Sequence, residues 1–180
     1  MIVNCYKLYQ FTDNEWQPIF DIRSTGVEGI SFHTNVASMI KQGDIFWLAT
    51  SNGLMKYKND STWVLYSTQN SGIASNIVQK IRIDNEGRKW LETFSGIEMY
   101  DGTNWLLYDD LKTFDIADEF IIANPSRQGR FRIYENNQWD PFLLDYIDAP
   151  ISFHDAEIDD EGHLWLAAAF DVIYKLIKNP

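Results

Sequence analysis

Apolar and polar residues alternate over short segments of this chain, and polar turn-forming stretches separate those segments. Around Ile97 and Met99 the apolar residues fall on one side of a two-residue period, which indicates a β-strand rather than a helix. The stretches 84–87 (DNEG) and 101–104 (DGTN) are built from residues that form tight turns. The pattern predicts four short antiparallel strands here: Val78–Ile83, Trp90–Thr93, Ile97–Tyr100 and Trp105–Tyr108.

The same arrangement recurs along the chain. A tyrosine followed after a short polar stretch by a tryptophan occurs as Tyr9–Trp16, Tyr57–Trp63, Tyr100–Trp105 and Tyr134–Trp139. Tyr174 marks a partial fifth copy without a following tryptophan. A second segment, beginning at Trp47, Trp90 and Trp165, stands nine or ten residues ahead of a tyrosine. Four short strands repeated at such intervals are typical of β-propeller blades.

We therefore predict an all-β, propeller-like fold of about four blades, each with four antiparallel strands, in a single domain spanning residues 1–180. The predicted repeats cover approximately 28–67, 73–109, 114–145 and 150–180, and residues 1–22 add a strand pair. Because the chain begins and ends on the same strand type, the strand at Trp16 is expected to complete the last sheet, within one chain or in a dimer. Aromatic residues at fixed repeat positions are expected to pack between sheets: Trp47, Trp90, Trp165, Tyr57 and Tyr100.

The run from Asn76 to Tyr100 resembles the two-component-regulator propeller repeat, whose pattern is roughly N-x-V-x-x-I-x-x-D-x-x-G-x-x-W-x-x-T-x-x-G-L-x-x-Y. The run from Asn35 to Tyr57 is a second good copy with a shortened polar turn, and the copy at 153–174 has Ala168 and Asp171 in place of the Thr and the Gly. The copy around 117–134 lacks the turn and the tryptophan. The resemblance implies a sensor propeller of bacterial hybrid histidine kinases, without the kinase, and a periplasmic or extracytoplasmic location.

Charge excludes several classes of partner. The chain has 15 Lys and Arg against 26 Asp and Glu, a formal net charge of −11, so it would repel nucleic acids and anionic membrane surfaces. Its apolar runs are far too short for a transmembrane helix. The first ten residues have neither a basic region nor a long apolar region, so no signal peptide is seen and the compartment stays open.

Two conceivable metal sites have simpler interpretations. The acidic turns at Asp84 and Asp159 each offer about three oxygens, whereas Ca²⁺ takes six to eight, so we expect these carboxylates to bond turn amides instead. His154, Glu157 and His163, with His33 as a further ligand, match no known zinc spacing. We therefore predict no metal and no cofactor.

The aromatic residues that do not recur are the better candidates for a binding site, although a core role is the simpler expectation for each. They are Phe32, Phe94, Phe114, Phe120, Phe131 and Phe170. Phe94 and Phe170 follow the second strand of a repeat and are expected to lie at one end of the ring. With His154 and Asp171 they form the predicted ligand-binding set.

No nucleophile, base and oxyanion partner converge in the sequence, so we predict that the chain is not an enzyme. The predicted function is a non-catalytic module that senses or binds a small polar ligand such as a saccharide. The alternative is a module for protein–protein interaction or self-association.

Overall fold

The computed structural model describes residues 2–4, 7–31, 33–58, 62–117, 120–125, 131–135, 137–141, 153–161, 163–168 and 172–176. Strands dominate these residues, together with one 3-10 turn at Ile22–Ser24. None of the helical structure in this part of the chain is long and apolar enough to cross a membrane.

Three internal sheets have four strands each, and every strand pairs antiparallel with its neighbour in sequence. The second sheet contains β4 (Val36–Gln42), β5 (Ile45–Thr50), β6 (Gly53–Lys58) and β7 (Thr62–Tyr66). The third contains β8 (Val78–Ile83), β9 (Lys89–Thr93), β10 (Gly96–Tyr100) and β11 (Trp105–Tyr108). The fourth contains β12 (Leu111–Ala117), β13 (Phe120–Pro125), β14 (Arg132–Glu135) and β15 (Gln138–Pro141).

The two terminal sheets have three strands each among the described residues. The first sheet contains β1 (Ile2–Asn4), β2 (Lys7–Thr12) and β3 (Glu15–Asp21). The fifth contains β16 (Phe153–Ile158), β17 (Leu164–Ala168) and β18 (Val172–Leu176). The all-β, propeller-type architecture is confirmed, and the described strands form five sheets rather than four.

The N-terminal segment corrects two expectations. Residues 1–22 contain three strands rather than a strand pair, because Ile2–Asn4 pairs with Lys7–Thr12. The Trp16 strand then pairs with β2 and belongs to the first sheet, so the expectation that it completes the last sheet within one chain is wrong, whereas its pairing with the last sheet in a dimer stays a prediction. Leu8 and Ile22 pack against the second sheet. The sheets follow one another in a row in sequence order, and the first sheet stands at one end of it. The assignment of residues 1–180 to a single domain stays a prediction.

Hydrophobic clusters fill the space between consecutive sheets, so each sheet shares an apolar core with the next. Trp47 and Leu54 of the second sheet pack against Ile81 and Tyr100 of the third. Trp90 of the third sheet packs in the same way against Phe114 of the fourth. The first strands face one another along the row, with β4 against β8 and β12 against β16. The core is therefore a series of interfaces rather than one centre, as expected for repeated sheets.

The repeated tryptophans and tyrosines occupy these interfaces in the internal sheets. Trp47, Trp90, Tyr57 and Tyr100 are buried, which confirms the expectation for them. Trp165 differs, because its side chain is 37% exposed on the outer face of the fifth sheet. It occupies the same strand position as Trp90, but no sixth sheet follows among the described residues.

The register also corrects the alignment of the first repeat. Trp16 lies opposite Phe11, whereas Tyr9 lies opposite Pro18. In the second sheet Trp63 lies opposite Tyr57 in the corresponding position. Phe11 is therefore the structural counterpart of the repeated tyrosine, and its five-residue distance from Trp16 matches the distance from Tyr100 to Trp105.

Trp90→Ala tests the contribution of the interface tryptophan. Trp90 is fully buried between two sheets, so we expect the substitution to lower the free energy of unfolding by about 3–5 kcal/mol. Trp165→Ala is the matched control at the same strand position, and its partial exposure predicts a cost of about 1 kcal/mol. Urea denaturation of both variants measures the difference. Equal losses would contradict the assignment of Trp90 to an inter-sheet core.

Candidate functional site

One end of the sheets carries the hairpin turns between second and third strands, and we call it the turn end. In two sheets a threonine closes this turn: the Thr50 hydroxyl donates to the Gly53 carbonyl at 2.7 Å, and the Thr93 hydroxyl donates to the Gly96 carbonyl at 3.0 Å. Gly96 has φ of +137°, and a Cβ there would collide with the Tyr108 carbonyl oxygen. The T-x-x-G part of the repeat therefore forms a tight turn that brings the third strand close to the fourth.

A β-bulge interrupts the first strand of each of the last four sheets near this end. The register shifts between Val36 and Ser38, and the same shift recurs in the three following sheets. The extra residues, which we call the bulge row, are Ala37, Gln79, Lys112 and His154. A bulge bends its strand and re-aims a side chain, and bulges are over-represented beside active sites. The bulge row therefore lies on the first strands β4, β8, β12 and β16, one residue in each of the last four sheets.

A cavity of about 530 Å³ opens beside two members of the bulge row, at the seam between the third and fourth sheets. Its lining combines the side chains of the turn after β9 with the start of β12 and polar groups from both sheets. The lining residues are Gln79, Thr93, Phe94, Ser95, Gly96, Asp109, Leu111, Lys112 and Thr113. The cavity thus offers an aromatic ring, an amide, an ammonium group, a carboxylate and hydroxyls within one space.

The structure places two of the four predicted site residues at the turn end. Phe94 lines the cavity with its side chain 73% exposed, and its backbone N–H bonds the Ile77 carbonyl at 3.2 Å. His154 lies on β16 in the bulge row. Phe170 and Asp171 lie outside the described residues, as does Phe32. Ligand binding by these residues stays a prediction.

The other non-recurring aromatics that the structure describes are not exposed. Phe114 and Phe131 are buried in the cores on either side of the fourth sheet, and Phe120 packs against one of these cores. Gln79 and Lys112 were missed by the sequence reasoning. No residue pattern marks a bulge, so only the register of the paired strands reveals them.

Two glutamates of the third sheet, Glu92 half-buried and Glu98 buried, stand where the second sheet has uncharged residues. Glu92 stands where the second sheet has Ala49, and its Oε1 accepts the Phe114 N–H at 2.9 Å. Glu98 stands where the second sheet has Met55, and it accepts the Ala74 N–H at 2.8 Å and the Thr93 hydroxyl at 2.9 Å. Burial raises the pKa of both carboxyls, and these hydrogen bonds oppose the rise.

Lys80 and Asp115 link the same two sheets close to Glu92. The Lys80 ammonium lies 3.2 Å from Asp115 and also donates to the Phe114 carbonyl at 2.7 Å. Arg82 lies 3.6 Å from the other oxygen of Asp115. These contacts tie β8 to β12, the strands that carry Gln79 and Lys112, so they hold the two walls of the seam in a fixed relation.

The acidic turns have the structural role expected for them. Asp84 accepts the Trp90 indole N–H at 2.7 Å and the backbone N–H groups of Glu86 and Arg88. Gly87 in this turn has φ of +78°, which favours glycine. In the shortened turn of the second sheet, Gln42 accepts the Trp47 indole N–H at 3.3 Å instead. In the second and third sheets, therefore, a side chain at the start of the turn that precedes the tryptophan accepts its indole N–H.

In the fifth sheet, Asp159, Glu161 and His163 bring three potential ligand atoms together. Asp159 already accepts the Trp165 indole N–H at 2.8 Å, which with the turn N–H groups holds the pKa of this carboxyl below its ordinary value. The Lys175 ammonium lies 3.4 Å from Asp159, where it supplies positive charge. His33 is exposed on a turn before the second sheet, and the side chain of His154 lies outside the described residues. Asp159 therefore has the contacts to the turn that were expected for it, and the absence of a metal stays a prediction.

A scan against protein-family models gives no match, and a search of the curated proteins gives none either. Solved structures do resemble the chain. The extracellular domain of a hybrid two-component system from B. thetaiotaomicron superposes with a TM-score of 0.62 at 18% identity, covering 99% of this chain and 26% of the other. The fold is that of these sensor propellers, as the repeat predicted. This chain spans 23% to 27% of the length of the three B. thetaiotaomicron extracellular domains that it matches.

Two further structures show the range of proteins that share this fold. YCF48 bound to D1 peptide superposes with a TM-score of 0.59 at 16% identity, covering 89% of this chain and 55% of the other. A streptogramin B lyase superposes with a TM-score of 0.61 at 12% identity, covering 98% of this chain and 63% of the other. Sensor domains, a peptide-binding protein and an enzyme thus have the same architecture, so function depends on the local site.

Glu92→Gln tests the burial of this carboxyl. A raised folded pKa stabilises the protein below the unfolded pKa, and this stabilisation is lost as pH rises through the folded pKa. The amide oxygen of the substituted side chain can still accept the Phe114 N–H without a buried charge. We therefore expect the variant to unfold at higher urea concentration than the wild type near pH 7, with the difference shrinking towards about pH 4.

Glu135→Gln is the control, because Glu135 is exposed at the end of β14. We expect its urea midpoint to follow the wild type at both pH values. A Glu92→Gln variant less stable than the wild type near pH 7 would show that attraction by Lys80 outweighs the burial cost.

Proposed function

We propose that this chain is a non-catalytic binding or sensing module whose cavity beside Phe94 takes a small polar ligand of the saccharide class. The observation that carries the proposal is an exposed phenylalanine ring placed among hydrogen-bonding side chains at the turn end. Binding pockets combine apolar or aromatic surface with a few polar groups that fix the orientation of the ligand.

The chemistry of the cavity lining suits a sugar ring. A pyranose has C–H groups on one face that pack against an aromatic ring, and hydroxyl groups around its edge. Phe94 supplies the ring, and the Gln79 amide, the Lys112 ammonium and the Asp109 carboxylate supply donors and acceptors for hydroxyls. The net charge of −11 disfavours strongly anionic ligands, whereas a neutral polyol is not repelled.

The remaining predicted residues stay in the proposal on the strength of their positions in the sequence. His154 occupies the bulge position of the fifth sheet that Lys112 occupies in the fourth. Phe170 and Asp171 lie in the sequence between β17 and β18, as Phe94 lies between β9 and β10.

An extracytoplasmic location is part of the same proposal, because the two-component neighbours are extracellular domains. A protein or peptide ligand is the second candidate, favoured by the likeness to YCF48 bound to D1 peptide. Both candidates use the exposed groups at the turn end, and they differ in the size of the ligand.

Phe94→Ala tests the site. We expect a saccharide from a panel of neutral mono- and oligosaccharides to raise the melting temperature of the wild type, since a ligand that binds only the folded state stabilises it. The affinity of Phe94→Ala for that saccharide, measured by calorimetry, should fall at least about tenfold, which corresponds to about 1.4 kcal/mol. Leu106→Ala, which removes another exposed apolar side chain outside the cavity lining, should bind like the wild type.

Recovery of the saccharide unchanged after incubation supports a non-catalytic role, and its conversion would contradict it. Absence of any thermal shift across the panel, together with binding of a peptide that Phe94→Ala abolishes, would favour the second candidate. Equal affinity of Phe94→Ala and the wild type would contradict a site at this cavity.

A further inference from the structure

A recurring aromatic contact joins consecutive internal sheets. The second-strand tryptophan of one sheet meets the third-strand tyrosine of the next edge-on. Trp47 lies 6.3 Å from Tyr100, and Trp90 lies 4.8 Å from Tyr134, as distances between ring centroids. The tyrosine is in turn paired with a fourth-strand tryptophan of its own sheet, as Tyr100 is with Trp105 at 4.3 Å. Each of these two interfaces therefore has two different halves: one sheet contributes a second-strand tryptophan, and the next sheet contributes a pair made of a third-strand tyrosine and a fourth-strand tryptophan.

The fifth sheet presents one of these halves on its outer face. Trp165, Ala167 and Ile173 are exposed there, and we call these three residues the last-sheet face. Ile173 pairs with Ala167 as Leu54 pairs with Ala49, yet Ile173 is 68% exposed and Leu54 is fully buried. Positions that are covered in the internal sheets are thus uncovered here.

The first sheet presents the other half on the opposite side of the row. Phe11 and Trp16, which we call the first-sheet face, lie 5.2 Å apart between ring centroids. They are 50% and 45% exposed, whereas the corresponding Tyr100 of the third sheet is buried. Leu8 of the same strand points the other way and packs against the second sheet. The exposed pair is therefore a third- and fourth-strand aromatic pair without a tryptophan from a preceding sheet.

We propose that the last-sheet face of one copy of this chain binds the first-sheet face of a second copy, head to tail. The occupant follows from the internal interfaces, because each face has the residues that cover the other face between consecutive sheets. The two faces are different, so the contact is heterologous and one chain carries both halves. The aromatic and aliphatic side chains of both faces are exposed in a single copy, so both faces are available to another copy.

Charge sets the conditions under which this association is strongest. Each copy carries a formal net charge of −11, so two copies repel each other at low ionic strength. Salt screens this repulsion and leaves the apolar contact in place. We therefore expect association to increase with salt, whereas an interface held by ion pairs would weaken.

The experiment uses one blocking variant for each face in the 180-residue chain. Trp16→Arg blocks the first-sheet face, and Ile173→Arg blocks the last-sheet face, in each case at an exposed position. Leu106→Arg adds the same charge at an exposed position outside both faces and is the control. Circular dichroism verifies the fold of each variant, and Phe11→Arg replaces Trp16→Arg if the latter does not fold.

Sedimentation velocity gives the result. The wild type and Leu106→Arg are expected to associate in a concentration-dependent manner that salt enhances, and each blocking variant alone is expected to be a monomer. A mixture of the two blocking variants should form a 1:1 dimer, because one intact face of each kind remains. A monomeric wild type at high salt, blocking variants that associate like the wild type, or a mixture that stays monomeric would overturn the proposal.

Discussion

Burial of a second-strand tryptophan joins the second sheet to the third and the third to the fourth, and the middle of the structure depends on this interaction. An indole carries a large apolar surface and one N–H donor, so its burial is most favourable when that donor finds an acceptor. Asp84 accepts it for Trp90, and Gln42 accepts it for Trp47. The acceptor stands at or next to the hairpin turn just before the tryptophan, so one short segment both forms the turn and supplies the hydrogen-bond acceptor for the buried indole.

This arrangement leaves the turn end of the sheets free to diverge. The tight threonine–glycine turns and the first-strand bulges keep their positions, while the side chains that they display differ from sheet to sheet. In the third sheet the divergence goes deeper, because Glu92 and Glu98 replace small or apolar residues inside the structure. Their hydrogen bonds to backbone N–H groups connect the walls of the cavity to the neighbouring strand and loop. The cavity therefore lies beside the sheet that carries these two glutamates.

The ends of the row follow from the same packing. A sheet in the middle has two partners, and its aromatic residues are covered on both sides. The first and fifth sheets each have one partner among the described residues, so the same residue types become exposed there. Exposed Trp16 and Trp165 are thus products of position in the row rather than of a different local sequence. Repeat proteins generally need something to cover such terminal faces.

The amino-acid sequence by itself determined the strands, the turns and the repeat. Alternation of apolar residues and D-x-x-G turns are each visible within a few residues, and the aromatics recur at recognisable positions beside them. These features can be recognised without knowledge of distant contacts. The predicted strands at Val78–Ile83 and Trp105–Tyr108 agree with the structure for this reason. The separate aromatic at Phe94 was also recognisable, because it follows a strand and does not recur.

Only the tertiary structure decided which repeated residues are buried and which side chains share a site. Trp90 and Trp165 have the same local sequence pattern, but only Trp90 has a following sheet to cover it among the described residues. Gln79 and Lys112 lie far apart in sequence, and they share a cavity because the packing of the third sheet against the fourth brings the two bulged strands together. Burial and register depend on contacts between distant segments, and a local pattern of residues carries no record of those contacts.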